Sequence, residues 1–165
     1  MKAWLKAFNP LSAIDTEAEA VMAARASAIS LWLSGAKWIA AAILMIEDMP
    51  RLKAAIATGA DTPVRDLVGN GMVEAMVAIT AAIGLFQVML GGVQWRVPNT
   101  MIPIIFLILS AYGLGNALWS QLAGGAGAGS GWPMLLSYFT LVVAVLFHWV
   151  GLRGASRLEK LHRVR

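Results

Sequence analysis

Four runs of about twenty apolar residues, each closed off by turn chemistry, constrain this chain more than any other feature. A bilayer hydrocarbon core is about 30 Å thick, and crossing it takes roughly 20 mostly apolar residues in helical form. The runs cover residues 26–46, 72–93, 101–122 and 133–152. Glu47-Asp48-Met49-Pro50 stops the first, and Gly69-Asn70-Gly71 precedes the second. The third begins after Asn99 or Thr100 as its cap and carries Pro103 in its first turn, where a missing N–H costs nothing. In each run the apolar composition continues around the whole helix, as lipid on one side and protein on the other require.

Composition removes the alternatives. Apolar residues make up 59% of the chain and charged residues 13%, against about half and a quarter in a soluble domain. A soluble fold of this length could not bury that excess, and a disordered chain would be charged and apolar-poor. The absence of cysteine excludes disulfide scaffolds, thiolate metal sites and cysteine nucleophiles. The expected fold is an all-α integral membrane protein, a bundle of four transmembrane helices with a long first helix.

Residues 1–25 read as an amphipathic lead-in. Met1 to Phe8 alternates basic and bulky residues before Asn9-Pro10, which is not the pattern of a cleaved leader. Trp4, Leu5 and Phe8 opposite Lys2 and Lys6 predict a short helix lying in the membrane interface. Thr16 and Glu19 stand at capping-box spacing, with Asp15 and Glu17 adding negative charge to the first turn. No breaker follows before Pro50, so the first helix should start outside the bilayer.

Basic residues in short loops set orientation. Lys2, Lys6, Arg25, Arg96, Arg153, Arg157, Lys160, Arg163 and Arg165 fall on the side of the termini, against Arg51, Lys53 and Arg65 opposite. Nine against three predicts both termini in the cytoplasm, and the expected compartment is a plasma membrane, the bacterial inner membrane. Trp95 and Trp149 near the inner boundary, with Trp119 and Trp132 near the outer one, agree with those spans.

The outer connection 47–71 carries its own helix signals. Asp48 before Pro50 predicts a short helix toward Ala57, and Thr62 before Pro63 a second one. Gly124 to Gly131 reads as a flexible linker; it lacks the Lys-Ser/Thr ending of a phosphate loop. The tail 153–165 holds five basic residues and one acid, with Leu158, Leu161 and Val164 at helical spacing. Anionic lipid is its expected partner, at about 1 kcal/mol per basic residue near the surface. Nucleic acid is not, because no aromatic interleaving or binding motif accompanies the charge.

Each span carries small or polar residues at three- and four-residue spacing: Ser27, Ser30, Ser34 and Lys37; Thr80, Gly84, Gln87, Gly91 and Gln94; Ser110, Gly113, Asn116 or Ala117, and Ser120; Ser137, Thr140, Ala144, His148 and Gly151. Lipid gives no hydrophobic drive between helices, so such stripes are where helices pack. Lys37 is the one charged residue at depth, roughly 16 Å above the inner edge of its run. A lysine there costs about 2.5 to 3.5 kcal/mol on insertion scales, so it is expected to face the bundle interior or a partner. Tyr112 and Thr80 should come to a similar height, with Asn116 a turn away. A neutral lysine bonded to Tyr112 or Asn116, and one paired with an acid of another polypeptide, both satisfy the constraint.

Thr80, Gln87, Tyr112, Asn116 and His148 are thus candidate intramembrane polar or partner contacts beside Lys37, and Glu74 could line an outer vestibule. No metal site, haem pair or other cofactor site is expected from two histidines, His148 and His162. No Ser-His-Asp set or paired carboxylates at one depth suggest an enzyme. The expected function is a non-catalytic accessory or structural subunit of a larger membrane complex, contacting other integral subunits, or further copies of itself, through its helices and outer loop. The alternative is a homo-oligomeric channel or transporter with a pore between subunits, lined by Lys37 and Gln87, where a lysine would favour anions.

Overall fold

The computed structural model describes residues 6–59, 71–122 and 132–163. Among them a helical turn at 6–8 precedes five longer helices, α1 (Glu17–Glu47), α2 (Met49–Gly59), α3 (Met72–Arg96), α4 (Met101–Leu122) and α5 (Trp132–Arg163), with no strand. The helices α1, α3, α4 and α5 are long and apolar enough to cross a membrane. At 31 residues α1 is about 46 Å long, well over one hydrocarbon thickness. The last helix is equally long at 32 residues, and the basic tail continues it without a break as far as Arg163. Lys2, Trp4, Leu5, the Thr62-Pro63 signal and the Gly124 to Gly131 linker lie outside the described residues.

The helix starts follow from local chemistry. Glu19 N donates to Thr16 Oγ1 at 3.2 Å, while Glu19 Oε2 accepts from the backbone N–H groups of Asp15 (2.9 Å) and Thr16 (3.2 Å). That is a reciprocal capping box, which satisfies donors no helix can satisfy internally. Between the two candidate caps of α4 the structure chooses Asn99, whose Oδ1 accepts from Ile102 N at 3.0 Å. The Thr100 hydroxyl donates instead to Glu159 at 2.9 Å. Gly71 leads into α3 at φ 89°, a left-handed conformation that favours glycine.

The chain divides into two compact units, residues 1–30 with 90–165, and residues 31–89. In the first, the N-terminal half of α1 meets α5 through small residues. Ala20, Ala23, Ala24, Ala26, Ser27 and Ala28 are completely buried. A Cβ placed on Gly154 would stand 2.7 Å from both the Ala20 carbonyl oxygen and the Ala23 carbonyl carbon, and one on Gly151 would stand 2.6 Å from Ser27 Cβ. The two backbones approach as closely as helices can, which replaces the hydrophobic drive that lipid does not supply. Gln94 locks the α3–α4 connection: its amide donates to the carbonyls of Ala24 (3.3 Å) and Asn99 (3.1 Å) and accepts from Asn99 N (3.3 Å). Along α4 and α5, the Tyr138 hydroxyl donates to the Ala117 carbonyl at 2.8 Å.

The chain before α1 folds back into this unit. Ala7 is buried with Ala23, Ala26 and Val150, and Phe8, Ile14, Met22 and Phe147 pack around them. Phe8, read from its alternation as membrane-facing, meets Phe147 edge-on at 5.8 Å. Alternation with lysine marks Phe8 as the apolar side of a turn, but the burial partner is decided by α1 and α5. Lys6 pairs with Asp15 (2.8 Å) and Glu19 (3.0 Å). Those two carboxylates hold its ammonium above the ordinary 10.5.

In the second unit, α1 beyond Leu31 crosses α3 at a glycine pair. A Cβ on Gly35 would lie 2.7 Å from the Gly84 carbonyl oxygen, and one on Gly84 would lie 2.9 Å from that of Gly35. Trp32 Nε1 donates to the Val88 carbonyl at 3.2 Å one turn away. The short helix α2, anticipated after Asp48, is tied to the start of α3 by a salt bridge from Lys53 to Glu74.

Candidate functional site

Within the spans a polar side chain either finds a partner in its own chain or must find one outside it. That distinction separates the candidate residues. His148 sits on α5 one turn before Gly151, where the close backbone approach brings α1 within reach of its ring. Ser27 Oγ and His148 Nδ1 share a hydrogen bond at 2.7 Å, and Phe106 of α4 stacks on the imidazole at 5.7 Å between centroids. Ser27 is 0% and His148 2% exposed. A serine beside a histidine is half of a nucleophilic set, but no carboxylate among the described residues contacts this imidazole, and full burial keeps substrate from the serine. The pair is an interhelical tie.

Thr80 is buried and returns its hydroxyl to the Met76 carbonyl at 2.7 Å, the usual way a threonine is satisfied inside a helix. Glu74 faces outward at the start of α3, where its charge suits the helix dipole and is matched by Lys53. Gln87 is only partly exposed, and its Oε1 is buried with no hydrogen-bond partner among the described residues. Among the described residues no group of three or more histidines and carboxylates could hold a metal ion.

Lys37, Tyr112 and Asn116 form the other class. Leu31, Gly35 and Ala42 are the buried line of α1 in its unit, and Lys37, two residues past Gly35, is rotated about 200° from it. Its side chain is exposed and makes no hydrogen bond or ion pair with the described residues. The serine stripe pointed to the interior because Ser27, Ser30, Ser34 and Lys37 repeat every 3.3 residues on average, whereas packing follows the helix at 3.6. Ser27 and Ser30 are buried, Ser34 is half-buried and Lys37 has turned out of the interface. On α4 the Tyr112 phenol is 73% exposed and Asn116 is exposed one turn on, each without a side-chain hydrogen bond to the described residues. Trp119 continues that face at 70% exposure.

Arg25, one of the basic residues that set orientation, has a defined place in the structure. Its Nε donates to the Trp95 carbonyl at 3.3 Å, and its guanidinium lies 4.7 Å from the Trp95 ring centre, a cation–π contact at the end of α3. Nothing in the spacing of the sequence pairs these residues, which are 70 apart.

No protein family matches the chain, and no curated protein or solved structure does either. The four long apolar helices define the class, a multi-pass integral membrane protein.

Proposed function

We propose that this protein is a non-catalytic subunit of a larger membrane assembly, with both termini cytoplasmic, and that its outward polar residues in the spans meet another polypeptide. Lys37 carries this reading. It lies nine residues from the nearer end of its apolar run, roughly 13 Å at helical rise, too far for a four-carbon stem to bring the ammonium to water. Facing lipid it would cost about 2.5 to 3.5 kcal/mol on insertion scales, and the described residues offer it no counter-charge. An acid or a set of carbonyls on a neighbouring helix removes that cost. Tyr112 and Asn116 on α4 ask for the same thing, since an exposed amide in hydrocarbon loses hydrogen bonds that a partner restores.

The test is purification from native membranes in mild detergent, with Lys37→Ala beside the unchanged chain. A second polypeptide of fixed stoichiometry that is retained by the unchanged chain and lost from Lys37→Ala supports the reading. A lone, monodisperse monomer refutes it. Recovery of only this chain as a defined oligomer, disrupted by the same substitution, would move the conclusion to a homo-oligomer.

A further inference from the structure

We propose that the groove between residues 13–15 and the 149–160 face of α5 holds the phosphate headgroup of an anionic phospholipid. The groove encloses about 610 Å³, and its lining includes Ile14, Asp15, Trp149, Arg153, Arg157 and Lys160. Trp149, Arg153, Arg157 and Lys160 follow at four-, four- and three-residue steps, so one side of α5 presents an indole and then three cations. The indole lies within the apolar run that ends at residue 152, and the cations lie beyond it. The groove therefore straddles the depth at which a lipid changes from acyl chain to phosphate.

Its charges are left uncompensated. Arg153 is held in place by neutral groups, donating to the Pro10 and Ser12 carbonyls, so its orientation is fixed while its charge stays available. Arg157 and Lys160 are exposed and form no ion pair with the described residues. Asp15, the acid in the lining, is paired with Lys6, and Glu159 accepts from Thr100. Three cations beside the apolar lining residues Trp149, Leu152 and Ile14 match a phosphate attached to a hydrocarbon tail better than a free anion, which has no use for the apolar part. Positive charge clustered just outside a span is also the general mark of anionic-lipid recognition. Here it is shaped by a second segment of chain rather than spread along a tail.

Native mass spectrometry of the full chain, released from micelles containing phosphatidylglycerol or phosphatidylcholine, reads the site directly. The expected result is one retained phosphatidylglycerol and no retained phosphatidylcholine. Arg157→Gln and Lys160→Gln should each weaken retention about fivefold, the fold-change that corresponds to about 1 kcal/mol per basic residue. Arg163→Gln, in the same tail but not in the groove, should change it less than twofold. Because Arg157 and Lys160 bond to nothing described, these variants keep the fold, and helical circular dichroism checks that they do. Equal retention of both lipids, or equal losses from Arg163→Gln and Arg157→Gln, would overturn the site in favour of a diffuse basic tail. Displacement of phosphatidylglycerol by millimolar inorganic phosphate would overturn the lipid as its ligand.

Discussion

Replacing Gly154 by alanine tests the α1–α5 crossing more sharply than any polar substitution. The added methyl would lie 2.7 Å from the Ala20 carbonyl oxygen and from the Ala23 carbonyl carbon, and against Ala24 N. Comfortable contact for such atoms begins near 3.5 Å, so α1 and α5 must separate by at least about 0.8 Å, the approach to Ala24 N being tighter still. All three obstacles are backbone, and no side-chain rotation relieves them. Overpacking a tight core costs about 1 to 3 kcal/mol; an immovable neighbour places Gly154→Ala at the upper end, about 3 kcal/mol. Gly115→Ala is the counterpart, because nothing lies within 4 Å of a Cβ there and alanine is favoured over glycine in a helix by up to about 1 kcal/mol. Reversible unfolding in mixed micelles with increasing dodecyl sulfate, followed by far-ultraviolet circular dichroism, gives both values. The two substitutions should behave oppositely, with a large loss for Gly154→Ala and no loss for Gly115→Ala. A Gly154→Ala protein within 0.5 kcal/mol of the unchanged chain would mean that the helices do not approach as described.

Other consequences follow from named bonds. The Ser27–His148 tie predicts a coupling of about 1 kcal/mol in a double-mutant cycle of Ser27→Ala and His148→Leu, and additive losses would show that the bond contributes nothing. Asn99→Ala should destabilise by about 1 kcal/mol through loss of the α4 cap, whereas Thr100→Val should cost less; the reverse order in the same unfolding assay would reassign the cap. Lys6, raised above its ordinary value by Asp15 and Glu19, stabilises the N-terminal segment fully below pH 10.5 and loses that contribution as pH rises through the raised value. The chain has no cysteine, so a spin label at Leu11→Cys reports cleanly. Its mobility should stay constant from neutral pH to near 10.5 and then increase, and a Lys6→Met background should abolish that transition; a transition that persists in Lys6→Met would belong to another group.

The parts of this fold that were legible are those written in short-range chemistry. Span length needs only counting against bilayer thickness, and the observed helices contain all four runs. The capping box at Thr16 and Glu19, the Asn99 cap and the helix after Asp48 each depend on residues within a few positions of one another. Helix phase was not legible. On a soluble helix the apolar stripe shows which side is buried, but here lipid and protein both accept leucine, so Leu31 in the interface and Leu33 facing out look alike. That is why the spacing left Lys37 open between the bundle interior and a partner, and only its exposure in the structure turns it outward. Glycine at Gly35, Gly151 and Gly154 carried the missing information, because the backbone approaches there; small-residue spacing alone marked Gly84 and Gly151 and did not single out Gly35 or Gly154. Contacts such as Arg25 with Trp95, or Arg153 with the 10–12 segment, join residues with no local signal, and only the three-dimensional arrangement reveals them.

The central claim, that the outward face at Lys37 meets another polypeptide, is read most directly by a photoactivatable amino acid placed there. Incorporated at position 37 in native membranes and irradiated, it should give a discrete adduct heavier than the chain by the mass of a second protein. The same residue at Ile43, exposed about 120° around α1 from Lys37, should give a weaker yield of that adduct. Adducts with lipid alone at position 37, at the yield seen for Ile43, would contradict this reading.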